Sequence, residues 1–403
     1  MKIIRQDPFH LSFEAEGDMM WSLLKGEDDP LDYLFDGFRS SAKKFLELAL
    51  DAELENWLGY KPYERGDDRA DYRNGYTYRC LESVFGVLEH LAVPRTRKNR
   101  FKSELVKKYQ RRQKQVEVFI RAMFVRGVST RQVGEILTPL LGIDPSAQTV
   151  SNIAKALDED VRRFRNRPLS DDYVYLILDG VTMRVKEAPK ATKKLVLVAY
   201  GIKRDGTREV ISFRQEASES QRCWQKMLND LYRRGLRGAN LRLITTDGSP
   251  GLIAALDEVY PYCPRQRCWA HKLRNVANHC RKKNEEDVIA GARLIYQQET
   301  KLEATRMFFE WKAKWEFVET KAVACLERDL ESMLTFLKLR EEHRKMMRTT
   351  NVIERLFREV RRRTNPMTCF NNAESCDRII YSVFARFNHK WKGRPLANFT
   401  QQG

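Results

Sequence analysis

The sequence has no run of about 18 apolar residues and no basic amphipathic helix at a terminus, which argues against a membrane-spanning or membrane-surface protein. Its opening, MKIIRQDPFHLSFEAEGDMMW, lacks an apolar segment between a basic head and a small-residue cleavage site. Secretion is therefore not expected. The eight cysteines form no Cys-x-x-Cys pair, and that scatter in a long chain fits free thiols in a reducing cytoplasm.

Charge, by contrast, is plentiful. Lys and Arg number 73 against 55 Asp and Glu, giving a net charge of +18 over 403 residues. Such an excess favours a polyanionic partner, with nucleic acid first among them. The length suits two or three domains, so core size is not limiting.

Apolar Leu34, Phe38, Phe45, Ala49 and Ala52 recur at helical spacing between Leu31 and Trp57, predicting one or two amphipathic helices. Asn74-Gly75 and the β-prone runs around Gly86 predict a small hairpin. Between Arg95 and Lys114 there are ten Lys or Arg residues and one acid, Glu104. Arg95, Arg97, Lys98, Arg100, Arg111 and Arg112 then form a candidate phosphate-tracking surface, the alternative being a solvated basic face.

Three short helices are expected next, in QVEVFIRAMFVRG, STRQVGEILTPLLG and SAQTVSNIAKAL. They resemble a helix-turn-helix with Arg131, Thr149, Ser151 and Asn152 toward a groove and Ile136, Leu140, Val150 and Ile153 in the core. Such triplets also occur in any α-rich protein, so DNA contact here stays open. Pro168 marks a boundary, after which three β-prone runs, a helix, LRLITT, a helix from Gly251 to Val259 and RQRCWAH follow. The order βββαβαβ is that of a ribonuclease-H-like α/β core. Residues 284–348 read as an α-helical insertion, its apolar stripe carried by Val323, Leu326, Leu330, Met333 and Leu337. Two closing helices complete the core. The expected segments are thus 1–114, 115–167, 168–283, 284–348 and 349–403.

Asp179 ends YVYLIL and Asp247 ends LRLITT, each followed by Gly where the strand is expected to leave the sheet. Strand ends are where open α/β sheets bind ligands, and two carboxylates meeting there call for a divalent cation between them. A turn is the alternative for each Asp-Gly pair, but the apolar runs before them favour a site. Glu354, three residues after Asn351, fits a helix-capping box on local grounds. Around it Arg355, Arg358, Arg361, Arg362 and Arg363 offer guanidinium groups to phosphates, or else a solvated basic helix. Cys263, Cys268, His271, His279 and Cys280 invite a zinc reading, yet without a Cys-x-x-Cys pair a packed Cys-Trp-Ala-His strand is preferred.

LDGVTMRVKE, TTDGSPGLIAALDEVYPYCPRQRCWAHKLRNV and TTNVIERLFREVRRRT, in that order, resemble the two aspartate blocks and the glutamate block of the Mutator-type bacterial insertion-sequence transposases. RPL before the first strand and ESCDRIIYSVF near the end fit as well. The resemblance covers most of the chain but not the first 70 residues. It implies a DDE enzyme in which Asp179, Asp247 and Glu354 hold two magnesium or manganese ions, with Cys268 and His271 supporting the site or its DNA contacts. It further implies a bacterial cytoplasmic protein acting as a homodimer or larger assembly on double-stranded DNA, both the element's terminal inverted repeats and the target. A regulator that has lost transposition and a structure-selective nuclease on the same fold are the alternatives.

Overall fold

The computed structural model describes residues 30–64, 71–187, 190–364, 370 and 372–396. The expectation about secretion, which concerns the first 21 residues, lies outside them. Among the described residues no helix is long and apolar enough to cross a membrane. The chain divides into two compact units, Met1–Ala154 and Lys155–Gly403.

In the first unit, helix α1 (Pro30–Leu58) lays Leu46 and Leu50 against the hairpin of β1 (Arg73–Ser83) and β2 (Gly86–Thr96). Phe38 and Phe45, expected on the buried stripe, are instead exposed. The helix carries more than one apolar stripe, and the hairpin covers the leucines. Asn74-Gly75 is not the hairpin turn. It lies at the start of β1, where the register shifts between Arg73 and Tyr76 and Gly75 has a φ of 65°. Pairing of Leu81 with Leu88 moves the turn to Val84 and Phe85.

Helices α2 (Lys114–Arg126), α3 (Gln132–Leu141) and α4 (Ala147–Lys155) follow, three as expected. Val116, Ile120, Val133, Leu137, Ile143 and Val150 form their core. Ile136 and Leu140, expected inside, are exposed, because the stripe one residue round α3, Val133 and Leu137, faces its neighbours.

The second unit begins before Pro168, since α5 (Leu157–Asn166) places Phe164 against Phe213 and Tyr381. Its elements are β3 (Tyr173–Glu187), β4 (Lys190–Lys203), β5 (Arg208–Glu216), α6 (Gln221–Arg233), β6 (Leu243–Thr246), α7 (Pro250–Val259), β7 (Arg265–Arg267) and α8 (Trp269–Asn278). They build a five-stranded mixed sheet in the order β5-β4-β3-β6-β7. The meander β3-β4-β5 is antiparallel, whereas β6 and β7 join in parallel through helices.

Side chains alternate along β3, so its two faces serve two cores. Leu176 and Leu178 pack with Trp224, Leu228, Leu252 and Leu256 of α6 and α7. Ile177, Val181, Met183 and Val185 face the opposite way, toward the last two helices, α14 (Asn351–Thr364) and α15 (Ala373–Trp391). Between α8 and α14 runs the helical stretch expected from the sequence, α9 (Glu285–Ile295), α10 (Lys301–Trp315), α11 (Thr320–Glu327), α12 (Leu330–Met333) and α13 (Glu341–Met347). Its apolar stripe is broken over α11, α12 and a 3-10 turn at Thr335–Lys338, and Val323, Leu326, Met333 and Leu337 are still buried.

Candidate active site

Asp179 does not end its strand. β3 continues through Gly180 to Glu187, with Asp179 paired to Val198 and Gly180 to Leu197. What ends there is the neighbour. β6 pairs with β3 only over Tyr175–Ile177 against Leu243–Thr245, and continuing that parallel register by two residues sets Asp179 level with Asp247. The sheet brings together two residues 68 positions apart (247 − 179) at the place where β3 loses its partner.

Asp179 is 3% exposed and lies on the face of Ile177 and Val181. Burial pushes its carboxyl up to about 7, against the hydrogen bond from Thr350, and the charges of Asp247 and Glu354 push the same way. The Gly180 N–H donates to its Oδ1 at 2.9 Å. Asp247, just past β6, accepts the Ser249 N–H on its Oδ1 at 3.0 Å, in a turn where Gly248 has a φ of 84°. A Cβ on Gly248 would lie 2.4 Å from Arg267 Nε, so both conformation and space require glycine.

Glu354 sits in the first turn of α14, but the capping box expected from local sequence is not formed. Asn351 is the first helical residue, and the Glu354 carboxylate turns sideways to α8, its Oε1 3.2 Å from Arg274 and 3.6 Å from His271 Nε2. Thr350, directly before the helix, is fully buried, and its side chain also turns inward. Its N–H donates to Cys268 Sγ at 3.3 Å, and its hydroxyl lies 3.3 Å from His271 Nδ1.

The Cys-Trp-Ala-His segment is not a strand. β7 stops at Arg267 and α8 starts at Trp269, so Cys268 precedes the helix and His271 follows by one turn. Burial raises the Cys268 thiol above its ordinary range and lowers His271 below its own, favouring the neutral forms of both. Among the described residues no three His, Cys, Asp or Glu groups stand close enough to hold a metal ion. The zinc reading of Cys263, Cys268, His271, His279 and Cys280 is thereby removed. For Asp179, Asp247 and Glu354 the same finding means that the acids share a neighbourhood without a common coordination point. Their chemistry still fits a divalent cation, because carboxylate oxygens are its preferred donors and a buried carboxyl held near 7 beside two acids lacks compensating charge.

Asp179, His271, Arg274 and Glu354 line a cleft of about 630 Å3. Arg358, Arg361 and Arg362 line it too, whereas Arg355 borders a larger cavity of about 1370 Å3 with Arg274 and Arg348. Arg363 departs from the expectation. It is buried, and desolvation lowers its guanidinium to about 10, so it is not part of a solvent-facing basic set. In the first unit Arg95, Arg97, Lys98, Arg100, Arg111 and Arg131 are exposed. Arg112 is instead bound to Glu82 through two hydrogen bonds of 2.6 and 2.9 Å, which ties its segment to β1 rather than offering it to a ligand. Thr149 spends its hydroxyl on Ser146 at 2.9 Å.

Thr350 and Arg274 are the contributors to the cleft that the sequence did not single out. Arg274 had a weak signal, one turn after His271 on the same helix; Thr350 had only the look of a cap.

Residues 21–394 match the family described as "Transposase, Mutator family". The transposase for insertion sequence element ISRM5 of Rhizobium meliloti is 36% identical over 356 residues, 88% of this chain and 89% of the relative. The transposase for IS256 in transposon Tn4001 of Staphylococcus aureus is 32% identical over 372 residues, 89% and 93% of the two chains. The transposase for IS905 of Lactococcus lactis is 30% identical over 365 residues, 90% and 92%. With the family matched from the first helix through the last, the chain belongs to the Mutator family of transposases, DDE-type enzymes that cleave DNA and transfer strands.

Proposed function

We propose that this transposase recognises the terminal inverted repeats of its own insertion sequence, cleaves at their 3′ ends and joins the freed 3′-hydroxyls to target DNA. The observation that carries it is the parallel register of β3 and β6, which sets Asp179 level with Asp247 on a cleft that Glu354 and His271 enter from neighbouring helices. The mixed sheet with its leading meander is read as a ribonuclease-H-like core. Asp179, Asp247 and Glu354 are the proposed ligands of two magnesium or manganese ions. When bound, such ions activate the attacking water or 3′-hydroxyl and stabilise the leaving 3′-oxygen.

The chain's own residues position the rest. Thr350 and the Gly180 N–H hold the Asp179 carboxylate, and Arg274 with His271 holds that of Glu354. Cys268 accepts the Thr350 N–H and fixes the start of α14 against α8, a supporting role that requires no ionised thiol. Arg358, Arg361 and Arg362 line the cleft where a phosphate backbone has to pass. The exposed Arg95, Arg97, Lys98, Arg100, Arg111 and Arg131 supply sequence-independent affinity in the first unit. Two ends are processed together, so a homodimer or larger assembly on DNA is expected.

The test uses the purified chain with magnesium, duplexes carrying the element's ends and unrelated duplexes of equal length. Cleavage and joining confined to the element ends, and lost in Asp179→Asn, are expected. Equal cutting of unrelated or branched duplexes would favour the nuclease reading, and joining by Asp179→Asn would refute the acidic site.

A further inference from the structure

A fourth acid stands at the edge of the same site. Glu219 lies between β5 and α6, two residues before the helix begins. It approaches β3 from the face of α6 and α7, opposite to Glu354. The contact is with Gly180, where a Cβ would lie 3.2 Å from Glu219 Oε1 and 3.3 Å from Leu195 Cδ1. Gly180 is an ordinary extended residue within β3, so no unusual φ explains it. What its missing side chain leaves open is the approach of the Glu219 carboxylate to the residue next to Asp179.

That carboxylate is poorly compensated. Glu219 Oε1 is shielded from solvent and receives no hydrogen bond. The Ser249 hydroxyl and the Trp224 indole N–H address the carboxylate, yet both polar atoms are themselves buried without a partner in hydrogen-bonding reach. No ion pair of Glu219 occurs among the described residues, and its nearest charged neighbour of note, Asp247, repels it. A glutamate kept for structure is normally paired with a cation or with full hydrogen bonds, because a desolvated, unpaired carboxylate oxygen destabilises the fold. Here one oxygen has neither, and two acids face each other.

We propose that Glu219 is a fourth carboxylate ligand of the divalent-metal centre, beside Asp179 and Asp247. A cation is the single group that removes both the orphaned oxygen and the repulsion from Asp247. The proposal rests on the reading of Asp179 and Asp247 as metal ligands, and it divides the donors between the two faces of the sheet edge, Glu219 on one and Glu354 on the other.

The experiment measures Mn2+ binding to the full chain by electron paramagnetic resonance of the free ion, for the wild type, Glu219→Gln and Asp179→Asn. Melting in EDTA serves as the control for folding. Glu219→Gln is expected to weaken Mn2+ binding by roughly tenfold or more, while end-DNA binding in a gel shift is unchanged. Its melting temperature in EDTA should equal or exceed that of the wild type, since an amide relieves repulsion and can donate a hydrogen bond. A purely structural glutamate would show the reverse, a lower melting temperature with unaltered Mn2+ affinity. If Asp179→Asn weakens Mn2+ binding and Glu219→Gln does not, the fourth-ligand proposal is overturned and the metal centre stands. Should neither substitution change Mn2+ binding, both fall.

Discussion

Asp179-Gly180 and Asp247-Gly248 are the same dipeptide after the same kind of apolar run, yet the fold uses them differently. The first is continuous strand, its aspartate buried on one face and its glycine exposing an edge on the other. The second is a turn after a short strand, with a glycine at a φ of 84° pressed against Arg267. They become equivalent only because β6 stops where Asp179 begins to lack a neighbour. A local motif therefore locates an acid, and the sheet register gives it a partner.

The largest expected effect tests the equivalence. Asp179→Asn and Asp247→Asn should each reduce cleavage of element ends to background in magnesium, with DNA binding retained in a gel shift. If one of them keeps wild-type cleavage, the two acids do not form one site.

Stability should separate what activity unites. The Asp179 carboxyl, raised by burial to about 7, holds its proton more tightly folded than unfolded. Without metal the protein should be most stable below the ordinary aspartate range and lose stability as pH rises from about 4 to about 7. Asp179→Asn should abolish that loss and raise the metal-free melting temperature at pH 8, by at most about 4 kcal/mol in stability. Asp247→Asn, half-exposed and with its acceptor for the Ser249 N–H preserved, should melt close to the wild type. Equal melting curves for the two variants across this range would remove the distinction.

The glycines give the smallest contrast. Gly248→Ala meets both a positive φ and Arg267, and should cost about 1–3 kcal/mol in denaturant unfolding. Gly180→Ala meets only the ends of the flexible Glu219 and Leu195 side chains, so under about 1 kcal/mol is expected. A larger loss at Gly180 than at Gly248 would contradict the assignment of strand and turn.

Much of the second unit was legible because its signals are local. Alternation in β3, β4 and β5 and helical spacing in α6 read correctly from the chain, as did the βββαβαβ order. Strand length did not. The end of YVYLIL looked like a strand end because Asp-Gly commonly turns, and only pairing with Val198 and Leu197 carries β3 onward. In the same way the Cys-Trp-Ala-His run has β-prone residues but becomes a helix whose Trp269 N–H bonds to Arg348 at 3.0 Å. Ile136 and Leu140 were assigned to a core that Val133 and Leu137 occupy, since an all-apolar helix does not specify which stripe will be covered. Arg112 and Arg363 were counted with their exposed neighbours. Their pairing and burial come from Glu82 and from packing in the core, neither of which an arginine run reveals.

By itself the sequence determined the basic charge, the element types of the catalytic unit and the presence of three acids in family order, because composition, periodicity and block order are properties of the linear chain. The tertiary structure decided that Asp179 and Asp247 lie level, that Glu354 faces Arg274 and His271 instead of capping its helix, and that Glu219 stands over Gly180. Those relations depend on where one strand ends beside another and on which helix face meets the sheet, and no stretch of local sequence encodes either.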